Sequence, residues 1–199
     1  MVQLRASQYK TICCSIWVAK TNLLIILQNT FAYDSALWTN KDVYKPDNAQ
    51  DGIFGSETKT HSYYSAPFKK MCLGLQVGSA LNWLPITRNA DSLYSLIADN
   101  KHRDTNLGRD AWKSLISGSS LQPHCNREGF NTYFKNTRVR IGIFSNQENN
   151  CDSPDSRIGI GAAGNHCGQN NANSVGNEAR CGPDNGDKSI RAMGYVLVQ

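Results

Sequence analysis

The sequence predicts an α+β protein with a twisted, mostly antiparallel sheet, a few short helices and a large loop-rich carboxyl half. Three observations lead to this fold class. Apolar and small or polar residues alternate in several short segments, which is the period of a strand with one buried face. Capping residues precede short segments with a helical spacing of apolar residues. Residues 145–194 contain no Phe, Trp or Tyr, so this stretch lacks the large side chains from which a core is usually built.

The composition indicates one exported domain. The chain has 199 residues, of which 40% are hydrophobic, enough for one ordinary core and too few for two full domains. The net charge of +5 is mild and no dense Lys/Arg run occurs, so nucleic acid is not expected as a partner. Seven cysteines and twenty asparagines favour an exported, loop-rich domain over a cytosolic enzyme.

Residues 1–32 are predicted to be a signal segment, which makes the protein secreted. Basic residues come first, the apolar run 23–27 follows, and Thr30 and Ala32 are small residues at the −3 and −1 positions of a cleavage site after Ala32. The alternatives are a buried helix, or upstream sequence that does not belong to the mature product. No apolar run reaches the roughly 18 residues that a membrane-spanning helix needs. The domain then comprises residues 33–199, with its core at about 38–199.

The first regular elements after this segment are a hairpin and a helix. Residues 72–77 alternate as a strand does, and residues 81–86 pair with them across a turn at Gly78, with Pro85 near a sheet edge. Ser92 then precedes apolar residues at helical spacing over 93–97, which predicts a short capped helix.

A second helix and two further strands complete the predicted elements. Residues 109–117 contain Trp112 at helical spacing with other apolar residues, and Gly118 ends the helix. Residues 139–144 alternate as a strand, and residues 192–198 form a closing strand rich in β-formers.

The interval between these two strands is predicted to be an ordered loop. Residues 145–194 hold nine of the twenty asparagines, and residues 159–186 hold seven of the sixteen glycines. Because such a stretch cannot build its own core, it is either disordered or an ordered loop held by disulfides or cations. Cys167 and Cys181 both fall inside it, which favours order.

Five cysteines remain if residues 1–32 are removed. An odd number predicts two disulfides and one thiol that is free or that links an oligomer through an intermolecular disulfide; the missing partner could also lie in sequence outside this chain. No spacing matches a zinc site, so disulfides are favoured over metal thiolates. A bridge between Cys167 and Cys181 would close a loop of about 15 residues, worth roughly 3 kcal/mol. The five residues are Cys72, Cys125, Cys151, Cys167 and Cys181.

One turn is a candidate cation site. Asp184, Asn185 and Asp187 surround Gly186, and carboxylate and amide oxygens are the ligands that Ca²⁺ prefers. The same residues are also ordinary turn formers, because Asp and Asn tolerate the left-handed backbone that Gly supplies. Catalysis has little support, since neither a Gly-x-Ser-x-Gly elbow nor a His-Glu-x-x-His motif is present. We therefore do not expect an enzyme.

Seven segments from about Trp38 to Gln199 resemble, as a set, the fibrinogen-C-like domain of the coral and sea-anemone proteins called uncharacterised skeletal organic matrix proteins. This resemblance implies a fibrinogen-C-terminal-like fold, an extracellular matrix location and a connection with biomineralization. Fibrinogen-like domains commonly hold calcium in the region of the Asp184 turn. The segments are YYSAPFKKMCLG at 63–74, SLYSLIAD at 92–99, LGRDAWKSLI at 107–116, CNREGF at 125–130, VRIGI at 139–143, DNGDK at 184–188 and GYVLVQ at 194–199.

A more distant resemblance is to the intelectins, or X-type lectins, which share a fibrinogen-like fold. It implies that Asn165, His166 and Glu178 hold a calcium ion that binds vicinal hydroxyls of a sugar. Because His is a poor ligand for calcium, His166 suits a hydrogen bond to a bound hydroxyl better. Intelectins also line the sugar pocket with aromatic residues beyond the last Cys, whereas residues 182–193 of this chain contain none.

The two resemblances predict a secreted, non-catalytic protein of the fibrinogen-like and X-type lectin group. Its function would be calcium-dependent carbohydrate recognition or a role as a component of an extracellular skeletal organic matrix, with glycans or matrix components as partners. The alternative is a structural matrix or adhesion protein without a sugar site.

Overall fold

A computed structural model describes residues 23–135, 137–170 and 173–199, and the description leaves out the side chains of Phe54, Asn165, His166, Gln169 and Asn170. These residues form an α+β arrangement dominated by antiparallel strands, as predicted. The strands are β1 Leu23–Ile26, β2 Thr58–Lys59, β3 Phe68–Val77, β4 Ala80–Ala90, β5 His124–Phe134, β6 Thr137–Asn146, β7 Ser156–Ala163, β8 Asn165–His166, β9 Gln169–Asn170, β10 Val175–Ala179, β11 Lys188–Arg191 and β12 Met193–Val198. The α-helices are α1 Ser62–Ser65, α2 Leu93–Ile97 and α3 Arg109–Lys113, and 3₁₀ helices span Ala36–Trp38 and Pro46–Phe54.

The strands form two main sheets. The first sheet has the order β2-β1-β12-β3-β4, and the second has the order β11-β10-β7-β6-β5, with β8 and β9 as a separate two-stranded ladder. The strand pairs in the described ranges are antiparallel. The sequence predicted one mostly antiparallel sheet, and the structure has two.

One apolar core lies between the two sheets. Gly194 on β12 shows how closely they pack, because a side chain there would meet Ile160 of β7 at 2.7 Å and Val175 of β10 at 3.3 Å. Burial of this many apolar side chains is the dominant stabilising term of such a fold. The strand residues of the core are Leu24, Ile26, Phe68, Met71, Leu73, Leu75, Leu84, Ile86, Phe130, Ile141, Ile143, Ile158, Ile160, Val175, Val196 and Val198.

The predicted hairpin and helices are confirmed. Strands β3 and β4 pair across the turn at Gly78, and Pro85 lies on β4 at the edge of the first sheet, where a missing N–H leaves no ladder bond unmade. Ser92 caps α2, and its side chain accepts a hydrogen bond from the Ser95 backbone. Trp112 on α3 is fully buried.

The apolar run that was predicted to be the core of a signal segment is a buried strand. Strand β1 lies between β2 and β12, and both Ile25 and Ile26 are completely buried. Cleavage after Ala32 would remove this strand from the sheet. The fold described here, including β1, is therefore that of the uncleaved chain, and the signal segment over residues 1–32 stays a prediction.

The prediction of a loop-rich carboxyl half is wrong. Strands β7, β10 and β11 lie inside residues 145–194, and β7 and β10 are buried along nearly their whole length. Branched aliphatic residues take the place of aromatic ones in these strands. Ile158 and Ile160 lie in the core together with Val175, so the segment does contribute to a core, jointly with the rest of the chain.

The glycines of this region serve the sheet rather than loops. At Gly159 the backbone has φ of +153°, and a Cβ there would overlap the carbonyl oxygen of Ile141 on the neighbouring strand. Only glycine fits such a close approach between strands. Four glycines lie opposite one another on adjacent strands and form a row across the second sheet: Gly129, Gly142, Gly159 and Gly176.

The disulfides confirm one prediction and correct another. Cys167 pairs with Cys181, as predicted, and Cys125 pairs with Cys151. Cys72 is disulfide-bonded as well, so the prediction of a free thiol among the five described cysteines is wrong.

No helix in the described part of the chain has the length and apolar character needed to cross a membrane.

Candidate functional site

The turn predicted to bind a cation docks onto the segment between α3 and β5. The backbone N–H of Asn185 donates to Ser120 Oγ at 3.0 Å, and its side-chain amide donates to the Gly118 carbonyl at 2.9 Å. The backbone N–H of Asp184 donates to the Leu121 carbonyl at 2.9 Å, and the Leu121 N–H donates to Asp184 Oδ1 at 3.1 Å. The turn is therefore fixed by protein contacts.

Basic side chains neutralise the carboxylates of this turn. Arg109 donates to Asp184 Oδ2 at 2.8 Å, and the Lys113 ammonium donates to the same oxygen. Burial raises the pKa of Asp184, but the hydrogen bonds from Lys113 and Arg109 lower it further than burial raises it, to about 2. Asp187 lies 3.6 Å from an Arg180 guanidinium nitrogen.

Glu178 is buried between cationic side chains. It lies on β10 directly opposite Arg157 on β7 and opposite Ser189 on β11. Ser189 Oγ donates to Glu178 Oε2 at 2.9 Å, and an Arg180 guanidinium nitrogen lies 3.3 Å from Oε1. Burial lowers the pKa of Arg157 to about 10, and the negative charge of Glu178 opposes that shift. The negative charge of Glu178 therefore partly compensates the positive charge of the buried Arg157.

The side chains of Asn165 and His166 lie outside the described residues, so their part in the predicted sugar site stays a prediction. Their backbone forms β8, which pairs with β9. The next residue, Cys167, donates its N–H to Asp155 Oδ1 at 2.8 Å.

The described residues of the predicted calcium sites do not fit a calcium ion. Calcium requires six to eight oxygen ligands, mostly carboxylates and carbonyls. The carboxylate of Asp184 already accepts from Arg109, Lys113 and the Leu121 N–H, and the side-chain nitrogen of Asn185 donates to the Gly118 carbonyl. Glu178 faces guanidinium groups, which would repel a divalent cation at the same place.

A polar cavity that the sequence did not predict lies at one end of the second sheet. Its volume is about 550 Å³, within the usual range for small-ligand pockets. We call it the Tyr33 cavity, and its lining residues are Tyr33, Asp34, Ser35, Thr39, Asn100, Tyr133, Lys135, Arg138 and Arg140.

Arg140 is the buried cation of the Tyr33 cavity. Its side chain is only 3% exposed and its guanidinium lies 4.1 Å above the centre of the Tyr33 ring. Nε donates to the Tyr33 carbonyl at 2.9 Å, and Nη1 donates to Asn100 Oδ1 at 2.7 Å and Asn131 Oδ1 at 2.8 Å. Burial lowers the pKa of Arg140, and the nearby Tyr33 opposes the shift.

Arg138 and Tyr133 form the outer part of the cavity. They are direct partners across β5 and β6. The guanidinium of Arg138 forms two contacts of 2.9 Å with the carboxylate of Asp34 and lies 5.0 Å above the Tyr33 ring. Tyr133 is 50% exposed, and Lys135 follows it at the exposed hairpin turn.

Three parts of the chain bring these groups together. Tyr33 lies in the compact turn after β1, which Trp38 fixes by donating its indole N–H to the Ala32 carbonyl at 3.0 Å. Asn131 on β5 donates to the Ile97 carbonyl at the end of α2, so it orients both the helix end and Arg140. An alternation of Arg with Val and Ile over residues 138–141 was the signal in the sequence, because it places both arginines on one face of a strand.

A His–Asp pair near this region lacks the geometry of a nucleophile and base. His102 Nε2 contacts Asp104 at 2.5 Å, while Nδ1 lies 3.2 Å from the Phe130 carbonyl and 3.4 Å from Thr132 Oγ1. Both ring nitrogens therefore lie next to oxygens that only accept, the Asp104 carboxylate and the Phe130 carbonyl.

Comparisons with protein-family models, with curated proteins and with solved structures give no match for this chain. The fibrinogen-like family, on which the calcium and sugar sites depend, accordingly stays a resemblance of short segments.

Proposed function

We propose that the chain is a secreted, non-catalytic protein of the fibrinogen-like group that binds glycans of an extracellular matrix through the Tyr33 cavity. The disulfides support an oxidising compartment, since such bonds are rare in the cytosol. The seven segments that resemble fibrinogen-C-like domains support the fibrinogen-like assignment, and the antiparallel sheets with short helices are compatible with it.

The observation that carries the proposal is the pairing of an exposed aromatic ring with fixed polar groups at an open cavity. Tyr133 is one of the two large hydrophobic residues that are strongly exposed in the described chain. A tyrosine ring can lie against the C–H face of a sugar while nearby polar groups bond its hydroxyls. Here these groups are Asn100, Arg138 and Lys135.

The proposal does not include calcium at the predicted carboxylates. Glu178 and Asp184 lie beside arginine or lysine side chains, so recognition at the Tyr33 cavity is independent of the cation. A structural adhesion protein without a sugar site is the alternative.

A glycan array tests the proposal with the full-length, disulfide-intact chain. We expect binding to at least one class of polysaccharide, and Tyr133→Ala should weaken it about tenfold, because an aromatic contact contributes about 1.5 kcal/mol. Val43→Ala is the matched control, since Val43 is similarly exposed at 45% but does not line the cavity.

Loss of binding in both variants would point to general hydrophobic adhesion, and absence of binding to every glycan would support the structural alternative. Either result would refute glycan recognition at the Tyr33 cavity.

A further inference from the structure

We infer that the Tyr33 cavity selects acidic glycans by binding a sulfate or carboxylate group against Arg138 and Arg140. This inference rests on the proposed function and specifies its ligand class. Both groups present oxyanions, and the planar guanidinium matches them better than other side chains do.

The charge of the Tyr33 cavity favours an anionic ligand. Three cationic side chains line it, Lys135, Arg138 and Arg140, and one carboxylate, Asp34. Three positive charges against one negative charge leave a net +2 in a concave site, where low-dielectric walls concentrate the field.

In the described part of the chain, Arg140 donates its hydrogen bonds to neutral oxygens. Its donors bond the Tyr33 carbonyl and the side-chain oxygens of Asn100 and Asn131. In the described part of the chain no carboxylate forms an ion pair with it. The carboxylate of Asp34 acts on Arg140 electrostatically from beyond ion-pair distance. Buried charges in proteins are normally paired directly, so an incoming oxyanion can take the place beside this guanidinium.

The guanidinium of Arg138 has donors that a ligand oxyanion can use. Two of its nitrogens bond Asp34, whereas Nε is buried and has no hydrogen-bond partner. Asp34 is largely exposed, with 67% of its side chain accessible. An ion pair with so exposed a member contributes little stability, and a ligand oxyanion can replace Asp34 at low cost.

The ring of Tyr133 lies close to these cationic side chains. Tyr133 is the direct neighbour of Arg138 across the strand pair, so a sugar ring held against Tyr133 places a charged substituent within reach of the guanidinium. Lys135, at the hairpin turn, adds a flexible cation on the same rim.

The test measures affinities of the disulfide-intact chain for three oligosaccharides of equal length by calorimetry. A chondroitin sulfate hexasaccharide carries sulfate and carboxylate, a hyaluronan hexasaccharide carries carboxylate alone, and maltohexaose is neutral. We expect at least one acidic hexasaccharide to bind about tenfold or more tightly than maltohexaose. Tighter binding of chondroitin sulfate would identify sulfate as the preferred group, and equal binding of both acidic probes would identify the carboxylate.

The variants separate the cavity from the general positive charge of the chain. Lys135→Gln and Arg138→Gln should each weaken acidic binding about fivefold to tenfold. Arg191→Gln, an exposed arginine on β11, removes the same charge elsewhere and should have no effect. Because Lys135 is exposed, its variant tests the inference even if changes at Arg138 disturb folding.

Two results would overturn the inference and leave glycan recognition intact: equal binding of maltohexaose and the acidic probes with loss of both in Tyr133→Ala, or unchanged acidic binding in Lys135→Gln and Arg138→Gln. An equal decrease in Arg191→Gln would show non-specific attraction and would also overturn it. Absence of binding to all three probes would overturn the inference and, together with a negative array, the proposed function.

Discussion

Two buried arginines on neighbouring strands of the second sheet have different neighbours. Arg157 on β7 faces Glu178 across the strand pair, whereas Arg140 on β6 stacks on Tyr33 and bonds neutral oxygens. Burial lowers the pKa of both. Arg157 has the buried carboxylate of Glu178 opposite it, whereas the groups in direct contact with Arg140 are a ring and neutral oxygens, and the exposed Asp34 acts on it from farther away. The place beside Arg140 is therefore open to an anion.

We expect the largest effect on the free energy of unfolding from Glu178→Gln. The substitution keeps the shape and removes a buried charge that lies opposite Arg157 and 3.3 Å from an Arg180 nitrogen. Removing one partner of a buried ion pair costs about 3–5 kcal/mol. The free energy of unfolding, from urea denaturation, should fall by that amount. Asp187→Asn is the control, because this exposed contact with Arg180 is worth less than about 1 kcal/mol. Similar losses in the two variants would show that Glu178 does not compensate Arg157.

An intermediate case is Asp184, a partly exposed carboxylate between two cations. Its pKa of about 2 in the folded chain lies below the ordinary 3.8, so its contribution to stability is present above about pH 4 and is lost as the pH falls toward 2. Asp184→Asn should therefore flatten the dependence of the unfolding free energy on pH in this window. A slope equal to that of the unchanged chain would contradict the contacts with Lys113 and Arg109.

The smallest expected effect is that of calcium removal. A ligand that binds the folded state raises the melting temperature, and the paired carboxylates of Glu178 and Asp184 leave no such site. Thermal unfolding with EDTA and with excess calcium chloride should agree within about 1 °C. A clear increase with calcium would show that the ion displaces arginine or lysine from these carboxylates and would restore the calcium prediction.

Local sequence signals predicted the elements that depend on local interactions. The hairpin β3–β4 followed from strand alternation and the Gly78 turn, and α2 followed from its Ser92 cap. Such signals fail where one pattern fits two structures. The apolar run 23–27 is compatible with a signal core and with strand β1, and periodicity cannot separate short apolar runs of these kinds.

Loops were predicted in the carboxyl half because glycine and asparagine are typical of loops, whereas the structure has strands there. In β7, isoleucine alternates with glycine, and Ile158 and Ile160 point into the core. The alternation was visible, but glycine is depleted in strands. Its presence here depends on neighbouring strands, which no short window contains.

The candidate site was missed for a related reason. Tyr33 and Arg140 meet only through the register of the folded chain, across 107 positions in sequence. The predicted disulfide, Cys167 with Cys181, was accessible because its partners are close in sequence. The sequence identified the carboxylates of Glu178 and Asp184 as candidate ligands. It did not show that arginine and lysine side chains from other elements lie beside them in the folded chain.

The place of β12 has a consequence for biosynthesis. This last strand of the chain lies between β1 and β3, so both of its neighbours leave the ribosome well before it does. Until residues 193–198 are free, β1 and β3 each present an unpaired edge and the core has an open side. Unpaired edges are templates for association with other chains. The two edges therefore stay open until residues 193–198 have been synthesised, and β12 then completes the first sheet by inserting between strands that are already present.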